Sequence, residues 1–301
     1  MSKYINPFSD WGFKTIFGQT ANKDLLIDFL NNLLAGEQEI EDITFLDKEL
    51  LGEIRSDRSV IYDIYCTTKN GEHIIVEMQI RAQEYFRERA LFYLSRAIVR
   101  QGKKGEEWQF KLKAVYGVFF MNFLPEGMAH KLRTDIVLAD RETHEPFLDK
   151  LRFIFIELPA FQKKAEECET DFERWIYILK NMETSPKELL FARNPIFRKL
   201  AAITDLSALP EEERDKYENS IDILRDNLAV MAAARNEGER EGIAKGMAKG
   251  VAKGMAKGKA EGKAEKQWEI VLRMQKMGLP IETICQATGL SEEEVEKGKK
   301  A

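Results

Sequence analysis

Two carboxylic acids flank a predicted turn in the stretch YDIYCTTKNGEHIIVEMQI, residues 62–80. Asp63 stands in the apolar run before the turn, and Glu77 and Gln79 stand in the run after it. A half-buried carboxylate needs a compensating cation, and oxygen ligands with few histidines nearby suit Mg²⁺ or Mn²⁺. A divalent metal held by two carboxylates activates water and neutralises charge on a phosphodiester under attack. The pattern therefore predicts a metal site, provided that the two acids meet.

Whether the acids meet depends on the length of the turn. A two-residue Asn-Gly turn would place Asp63 opposite Met78 and direct Glu77 to the other face. A three-residue loop over residues 69–71, with its glycine in the left-handed conformation, would place Asp63 directly opposite Glu77. The second strand favours the longer loop, because its apolar and polar residues alternate. One face carries Ile74, Val76, Met78 and Ile80, and the other carries His73, Glu77, Gln79 and Arg81, with Ile75 among them.

Composition argues against several other chemistries. The three cysteines are far apart and lack CxxC spacing, which disfavours a disulfide framework and a zinc knuckle. None of the three histidines lies near a serine or cysteine in a nucleophile motif. With a net charge of −5, a polyanionic partner must be held by a local patch or through metal ions. No leader pattern and no apolar run of about 20 residues is present, so we expect a cytoplasmic protein without a membrane partner.

A larger sheet must position the hairpin. Residues 24–34 and 85–102 have apolar side chains at helical spacing, and each run is followed or ended by a glycine. Strands are predicted over residues 60–68, 73–81, 112–123, 134–140 and 151–159. This order of helix, hairpin, helix and further strands predicts an α/β (α+β) domain with a mixed sheet flanked by helices.

The C-terminal part has a different composition. Residues 170–234 have a helical pattern, and glycine then recurs at every fourth position from Gly238 to Gly262. Each glycine destabilises a helix by about 0.8–1.0 kcal/mol relative to alanine. The repeat is therefore either a flexible spacer or a helix stabilised by self-association; we favour the helix, and the spacer stays open.

The last residues predict a small module of the helix-turn-helix type. Helices are expected to end at Gly278 and Gly289, and Ser291 begins a capping box with Glu294. The third helix is acidic, which favours a packing or oligomerisation module over a DNA-reading one. The predicted division is a core over 1–165, a helical extension over 166–235, the repeat over 236–266 and the module over 267–301.

Three motifs in order, NPFSDWGFKTIFG, YDIY…GEHIIVEMQ and FRERALFYLSR, resemble the Rpn family of recombination-promoting nucleases and putative transposases in the PD-(D/E)xK superfamily. The resemblance covers roughly residues 4–235 and implies a restriction-endonuclease-like core with a helical C-terminal extension. It implies that Asp63, Glu77 and the Met78 carbonyl bind Mg²⁺ or Mn²⁺. Gln79, which replaces the usual lysine, would orient the attacking water or contact the scissile phosphate. Glutamine cannot supply positive charge to the transition state.

The same resemblance implies DNA as the partner and a metal-dependent endonuclease activity linked to recombination or transposition. Arg81, Arg87 or Arg89 would contact DNA and supply the missing charge, although the helical arginines also fit a solvated face. Asp10 fits an additional acid, and helix capping by the Ser-Asp pair explains it equally well.

We expect a dimer, because one core offers one site and cutting both strands needs two. The alternative is a catalytically weak or inactive nucleic-acid-binding or oligomerisation protein that keeps the nuclease fold.

Overall fold

The computed structural model describes residues 3–50, 60–102, 109–125, 127, 130–184 and 194–297. The chain divides into two compact units, residues 1–225 and residues 226–301. The first unit contains the hairpin and the sheet, and the second contains the glycine repeat and the last short helices.

Six strands form the main sheet of the first unit. The strands of this unit are β1 (Ile43–Phe45), β2 (Glu49–Leu50), β3 (Val60–Ile61), β4 (Ile64–Thr68), β5 (His73–Gln79), β6 (Val115–Met121), β7 (Arg133–Ala139) and β8 (Pro146–Glu157). The order across the main sheet is β1-β4-β5-β6-β8-β7, and β2 pairs with β3 in a separate two-stranded sheet. Strands β5, β6 and β8 are parallel, and the other pairs are antiparallel. The mixed sheet confirms the predicted fold class.

Helices cover both faces of this sheet. One face is covered by α1 (Asp10–Phe17), α2 (Lys23–Leu33), α4 (Asp171–Asn181) and α5 (Pro195–Thr204), and the other by α3 (Phe86–Val99). Phe120 of β6 packs its ring against Phe13 and Phe29 on the first face. Its neighbour Phe119 packs against Phe86 on the α3 face. Because β6 is buried on both faces, its sequence is nearly continuously apolar.

The turn between β4 and β5 is a three-residue loop that ends at Gly71. This glycine has φ +83°, and its N–H donates to the carbonyl of the last β4 residue at 2.9 Å. Ile64 consequently pairs with Val76, which sets Asp63 beside Glu77. The predicted register is confirmed, and it depends on glycine because other residues adopt this left-handed backbone only with strain.

The predicted first strand of the hairpin is wrong in one respect, because it is interrupted at Asp63. Strand β3 pairs with β2, and β4 begins only at Ile64. The N–H of Tyr62 donates to the Lys48 carbonyl at 3.0 Å, and its hydroxyl donates to the Tyr93 carbonyl at 2.8 Å. Tyr62 is thus bonded away from β5, and the Asp63 carboxylate takes the place of a main-chain partner for β5.

Helix α6 (Glu211–Lys276) begins in the first unit and contains 66 residues. Tyr217, Ile221 and Leu224 are buried in the core on the α1 side of the sheet, and the Tyr217 hydroxyl accepts from the Asn6 N–H at 3.0 Å. With α4 and α5, this helix accounts for the helical pattern of residues 170–234, of which residues 185–193 lie outside the described part.

In the second unit, α6 continues through the glycine repeat. Of the two alternatives, a flexible spacer and a helix, the segment is therefore helical. A Cβ added at any glycine from Gly238 to Gly262 would meet no atom of the described residues within 4 Å. Self-association of this helix stays a prediction.

Two short helices, α7 (Ile281–Thr288) and α8 (Glu292–Lys297), pack with the end of α6 around Val271, Ile284 and Val295. The Ser291 N–H donates to the Glu294 carboxylate at 2.9 Å, and the Glu294 N–H donates to Ser291 Oγ at 3.3 Å. The predicted capping box is confirmed.

Candidate active site

Reciprocal hydrogen bonds hold the Asp63 and Glu77 side chains next to each other. The Asp63 N–H donates to Glu77 Oε1 at 3.1 Å, and the Met78 N–H donates to Asp63 Oδ2 at 2.8 Å. Each carboxylate is therefore oriented by the backbone of the opposite chain segment. Glu77 shares the α3 face with Ile75, because side chains two residues apart on a strand point the same way. The structure thus brings both predicted acids together at the C-terminal end of β5.

Burial makes this pair difficult to ionise. Glu77 is 2% exposed, and its burial, followed by the charge of Asp63, raises its pKa to about 8. Burial also raises the pKa of Asp63, against the opposite effect of the Met78 N–H. Two adjacent carboxylates with raised pKa values favour binding a proton or a cation over remaining doubly charged.

The donor set fits a small divalent cation. Mg²⁺ in proteins is usually held by one or two carboxylates and completed by water and substrate phosphate oxygens. Within the described ranges, no group of three or more histidine, cysteine, aspartate or glutamate side chains could hold a metal. The acids would therefore act as a pair. The Met78 N–H faces Asp63, and a strand residue's carbonyl points to the same side as its N–H, so the predicted third ligand is directed toward the pair.

Gln79 ends β5 on the same face as Glu77. Its side chain is 6% exposed, and its backbone carbonyl accepts from the Asn122 N–H at 2.9 Å. A glutamine amide can donate to a phosphate or water oxygen, but it carries no charge. Positive charge in this site must come from other elements.

Two cations from different helices act on the carboxylates. Against the effect of burial, Lys14 of α1 and Arg89 of α3 both favour the ionised forms of Asp63 and Glu77. A third cation, Lys48, has its pKa lowered by burial and then by the charge of Lys14. Sequence reasoning missed both lysines, because neither is close to the hairpin motif in the chain.

Asp10 lies in the first turn of α1 and pairs with Lys14 at 2.6 Å. The helix cap is Ser9, whose Oγ accepts from the Gly12 N–H at 3.0 Å. After burial, the Asp10 charge is a further cause of the raised pKa of Asp63. The four-residue spacing of Asp10 and Lys14 was the available sequence signal for their ion pair.

The three arginines predicted to contact DNA occupy different environments. Arg89 Nη1 donates to Gln83 Oε1 at 2.6 Å, and its guanidinium lies over the Tyr93 ring at 5.0 Å. Arg81 is exposed after the end of β5, and Arg87 is exposed in the first turn of α3. The charge of Arg89 therefore acts on the two carboxylates, whereas Arg81 and Arg87 lie on the surface.

A third buried acid on the α3 face was not predicted. Glu157 ends β8 opposite Met121, which in turn pairs with Gln79. It is fully buried, and among the described residues its carboxylate makes no hydrogen bond, with His130 Nδ1 at 3.5 Å from Oε2. The signal was the same as for Glu77, an acid at the end of an apolar strand.

A mixed sheet with an aspartate beside Glu-x-Gln on a central parallel strand defines a restriction-endonuclease-like core of the PD-(D/E)XK class. The sequence model of the PD-(D/E)XK nuclease family transposases matches residues 7–234. The chain belongs to this family, which confirms the resemblance seen in its three motifs. No curated protein and no solved structure matches the chain. Among the described helices, none is long and apolar enough to cross a membrane.

Proposed function

We propose that the protein is a metal-dependent DNA endonuclease that hydrolyses phosphodiester bonds in recombination or transposition. The observation that carries this proposal is the pair formed by the half-buried Asp63 and the buried Glu77, in which each carboxylate accepts a backbone N–H from the other's chain segment. A pair with raised pKa values and oxygen donors only is suited to Mg²⁺ or Mn²⁺. Family membership supports the reaction class.

The residues of the hairpin divide the work. Asp63, Glu77 and the Met78 carbonyl would hold the metal, which when bound supplies Lewis acidity and an activated water. The Gln79 amide would donate to the attacking water or to a phosphate oxygen and so fix its direction of approach.

Lys14 and Arg89 would supply the positive charge that Gln79 lacks. Both act on the charges of the carboxylate pair, and fixed cations near a reacting phosphate stabilise its developing negative charge. Asp10 would position Lys14 through their ion pair of 2.6 Å rather than bind metal. Arg81 and Arg87, both exposed, would contact the DNA backbone.

One core offers one carboxylate pair, so cutting both strands of a duplex requires two copies of the chain. We therefore propose that the active form is a dimer.

A second candidate is a nucleic-acid-binding or assembly protein that keeps the fold without cleavage. The uncharged Gln79 in the lysine position favours it, as does the helical repeat.

The test is nicking of supercoiled plasmid DNA with Mg²⁺ or Mn²⁺. We expect metal-dependent nicking that falls at least about 100-fold in Asp63→Ala and Glu77→Ala, because each removes a metal ligand. Asp149→Ala, which removes an exposed acid of β8, is the matched control and should cut normally. Equal cutting by all three variants would sink the proposal, and DNA binding without any cutting would favour the second candidate.

A further inference from the structure

A basic cavity lies at the other end of β5 from the carboxylate pair. It has a volume of about 440 Å³ and is lined by Tyr65, His73, Arg100, Lys111 and Lys113, with Asp47 as its acidic residue. Among the described residues that line it, three basic side chains against one carboxylate give this cavity a positive potential in a chain whose net charge is −5. Such local focusing of one sign of charge favours an anionic ligand.

The polar groups of the cavity are held in place. Tyr65 Oη and His73 Nδ1 lie 2.7 Å apart, and their rings stack at 5.6 Å. Lys113 Nζ donates to the Asn70 carbonyl at 2.8 Å, and the Lys113 N–H donates to Gln101 Oε1 at 2.8 Å. The wall is therefore built before any ligand arrives.

Two cations of the cavity remain available to a ligand. Arg100 and Lys111 are exposed, and within the described part of the chain neither forms an ion pair with an acid. Arginine and lysine side chains in this situation are suited to phosphate oxygens.

One stripe of α3 leads from the carboxylates to this cavity. Arg89, Arg96 and Arg100 are spaced by seven and four residues, which places them on one side of a helix. Burial raises the pKa of Tyr62, and the charge of Arg96 acts to lower it. The charge of Arg100 acts to lower the pKa of Tyr65, against burial, and that of His73, together with burial. The charge of Arg89 acts, against burial, to lower the pKa values of Asp63 and Glu77. The charges of the three arginines thus act on successive groups between the carboxylates and the cavity.

The spacing along β5 suits a nucleic-acid strand. His73 and Glu77 point to the same face and lie four residues apart, which corresponds to about 13 Å along a strand. Successive phosphates of one DNA strand advance by about 3.4 Å along the helix axis. Because neighbouring phosphates are separated by more than this axial rise, the cavity is no more than about four nucleotides from a phosphate bound at the carboxylate pair.

We propose that the cavity around Arg100 and Lys111 is a second phosphate subsite, which holds the DNA strand within about four nucleotides of the bond that is cut. This inference rests on the proposed nuclease function and specifies how its substrate is held. The Tyr65–His73 pair forms the floor of the subsite, and the arginine stripe of α3 lines the path between the two sites.

The test measures DNA affinity without cleavage. Binding of a short fluorescent duplex to the full-length chain is followed by anisotropy in EDTA at several salt concentrations. The variants are Arg100→Glu and Lys111→Glu, with Lys150→Glu as the control. All three residues are exposed, and each change alters the net charge equally. Circular dichroism confirms that each variant is folded.

We expect the two cavity variants to bind about tenfold more weakly than the control and to lower the salt slope by about 1. Affinities equal to that of the control would overturn the subsite. A parallel titration with a nucleoside monophosphate separates the sources of phosphate. If only its binding is lost in the cavity variants while DNA affinity equals the control's, the cavity serves a free phosphate compound and the strand path is wrong.

The plasmid-nicking test is independent of this one. If the protein never nicks DNA but the cavity variants bind DNA more weakly, the phosphate subsite is supported and the nuclease function is contradicted. If the protein nicks DNA but the cavity variants bind DNA as well as the control, the nuclease function is supported and the subsite is contradicted. No DNA binding by the unaltered chain would contradict both.

Discussion

Two pairs of acids that involve strands of the same sheet differ in how their charges are balanced. Glu37 and Asp135 share the guanidinium groups of Arg133 and Arg152. Hydrogen bonds from these arginines lower the pKa of Glu37 and, against burial, that of Asp135. Asp63 and Glu77 are more deeply buried, and among the described residues no basic side chain forms an ion pair with either.

The difference shows which pair of acids has its charge neutralised within the protein. Four charges in the Glu37–Asp135 network cancel within the protein, so this network needs nothing from solution. The hairpin acids repel each other, and their pKa values are raised. The first pair is bonded to arginines. The second pair accepts backbone N–H groups, and the charges of Lys14 and Arg89 act on it without an ion pair among the described residues. The second pair is therefore suited to an external cation.

The largest expected effect comes from neutralising Glu77 in the metal-free protein. Its pKa rises from 4.5 to about 8 on folding, so the folded state binds the proton more tightly than the unfolded state. Stability is therefore full below about pH 4.5 and falls as the pH rises through the raised pKa of Glu77.

The change that tests this is Glu77→Gln, which keeps an acceptor for the Asp63 N–H. We expect the variant to match the parent near pH 4.5 and to be more stable above pH 8 in EDTA. Urea unfolding across this pH range measures the difference. A parent whose stability rises with pH over the same range would contradict the raised pKa, and added Mg²⁺ should stabilise the parent alone.

The opposite pH dependence of stability is expected for the Glu37–Asp135 network. Arg152→Gln removes a guanidinium from Asp135 and Glu37 and should destabilise the protein by about 2 kcal/mol at pH 7. Because the pKa values of both acids are lowered on folding, their contribution is present above their ordinary pKa values and is lost as the pH falls. Arg141→Gln, at an exposed position, is the control. A stability loss that stays constant down to pH 2 would show that the ion network is not its source.

A smaller effect is expected from Lys14, the cation on α1. Lys14→Gln should slow nicking about tenfold with little change in DNA affinity, because one distant donor of transition-state stabilisation is removed. Lys14→Arg should restore most of the rate. Lys23→Gln breaks a surface ion pair with Asp42 and should leave the rate unchanged. Loss of rate in Lys14→Arg equal to that in Lys14→Gln would argue for a structural role instead.

The hairpin register was predictable because its signals are local. Alternation of apolar residues over β5 favoured a three-residue loop over a two-residue Asn-Gly turn, and Gly71 has the required left-handed conformation. The interruption at Asp63 was not predictable, because it results from the bonds of Tyr62 to Lys48 and Tyr93.

The charges around the site were the least predictable part. Lys14 and Lys48 are brought to Asp63 by the packing of α1 and by the chain after β1, and no spacing in the sequence relates them to it. Glu157 carried the same signal as Glu77 but lies on a strand far along the chain. The assigned roles of Asp63, Glu77, Gln79 and Met78 in catalysis stay predictions.

The most direct test of the central claim is a crystal soaked in Mn²⁺, with data collected for anomalous scattering. We expect a peak between the Asp63 and Glu77 carboxylates, within reach of the Met78 carbonyl, that disappears in Glu77→Gln. Full-strength Mn²⁺ peaks elsewhere on the molecule with none between these two acids would contradict it.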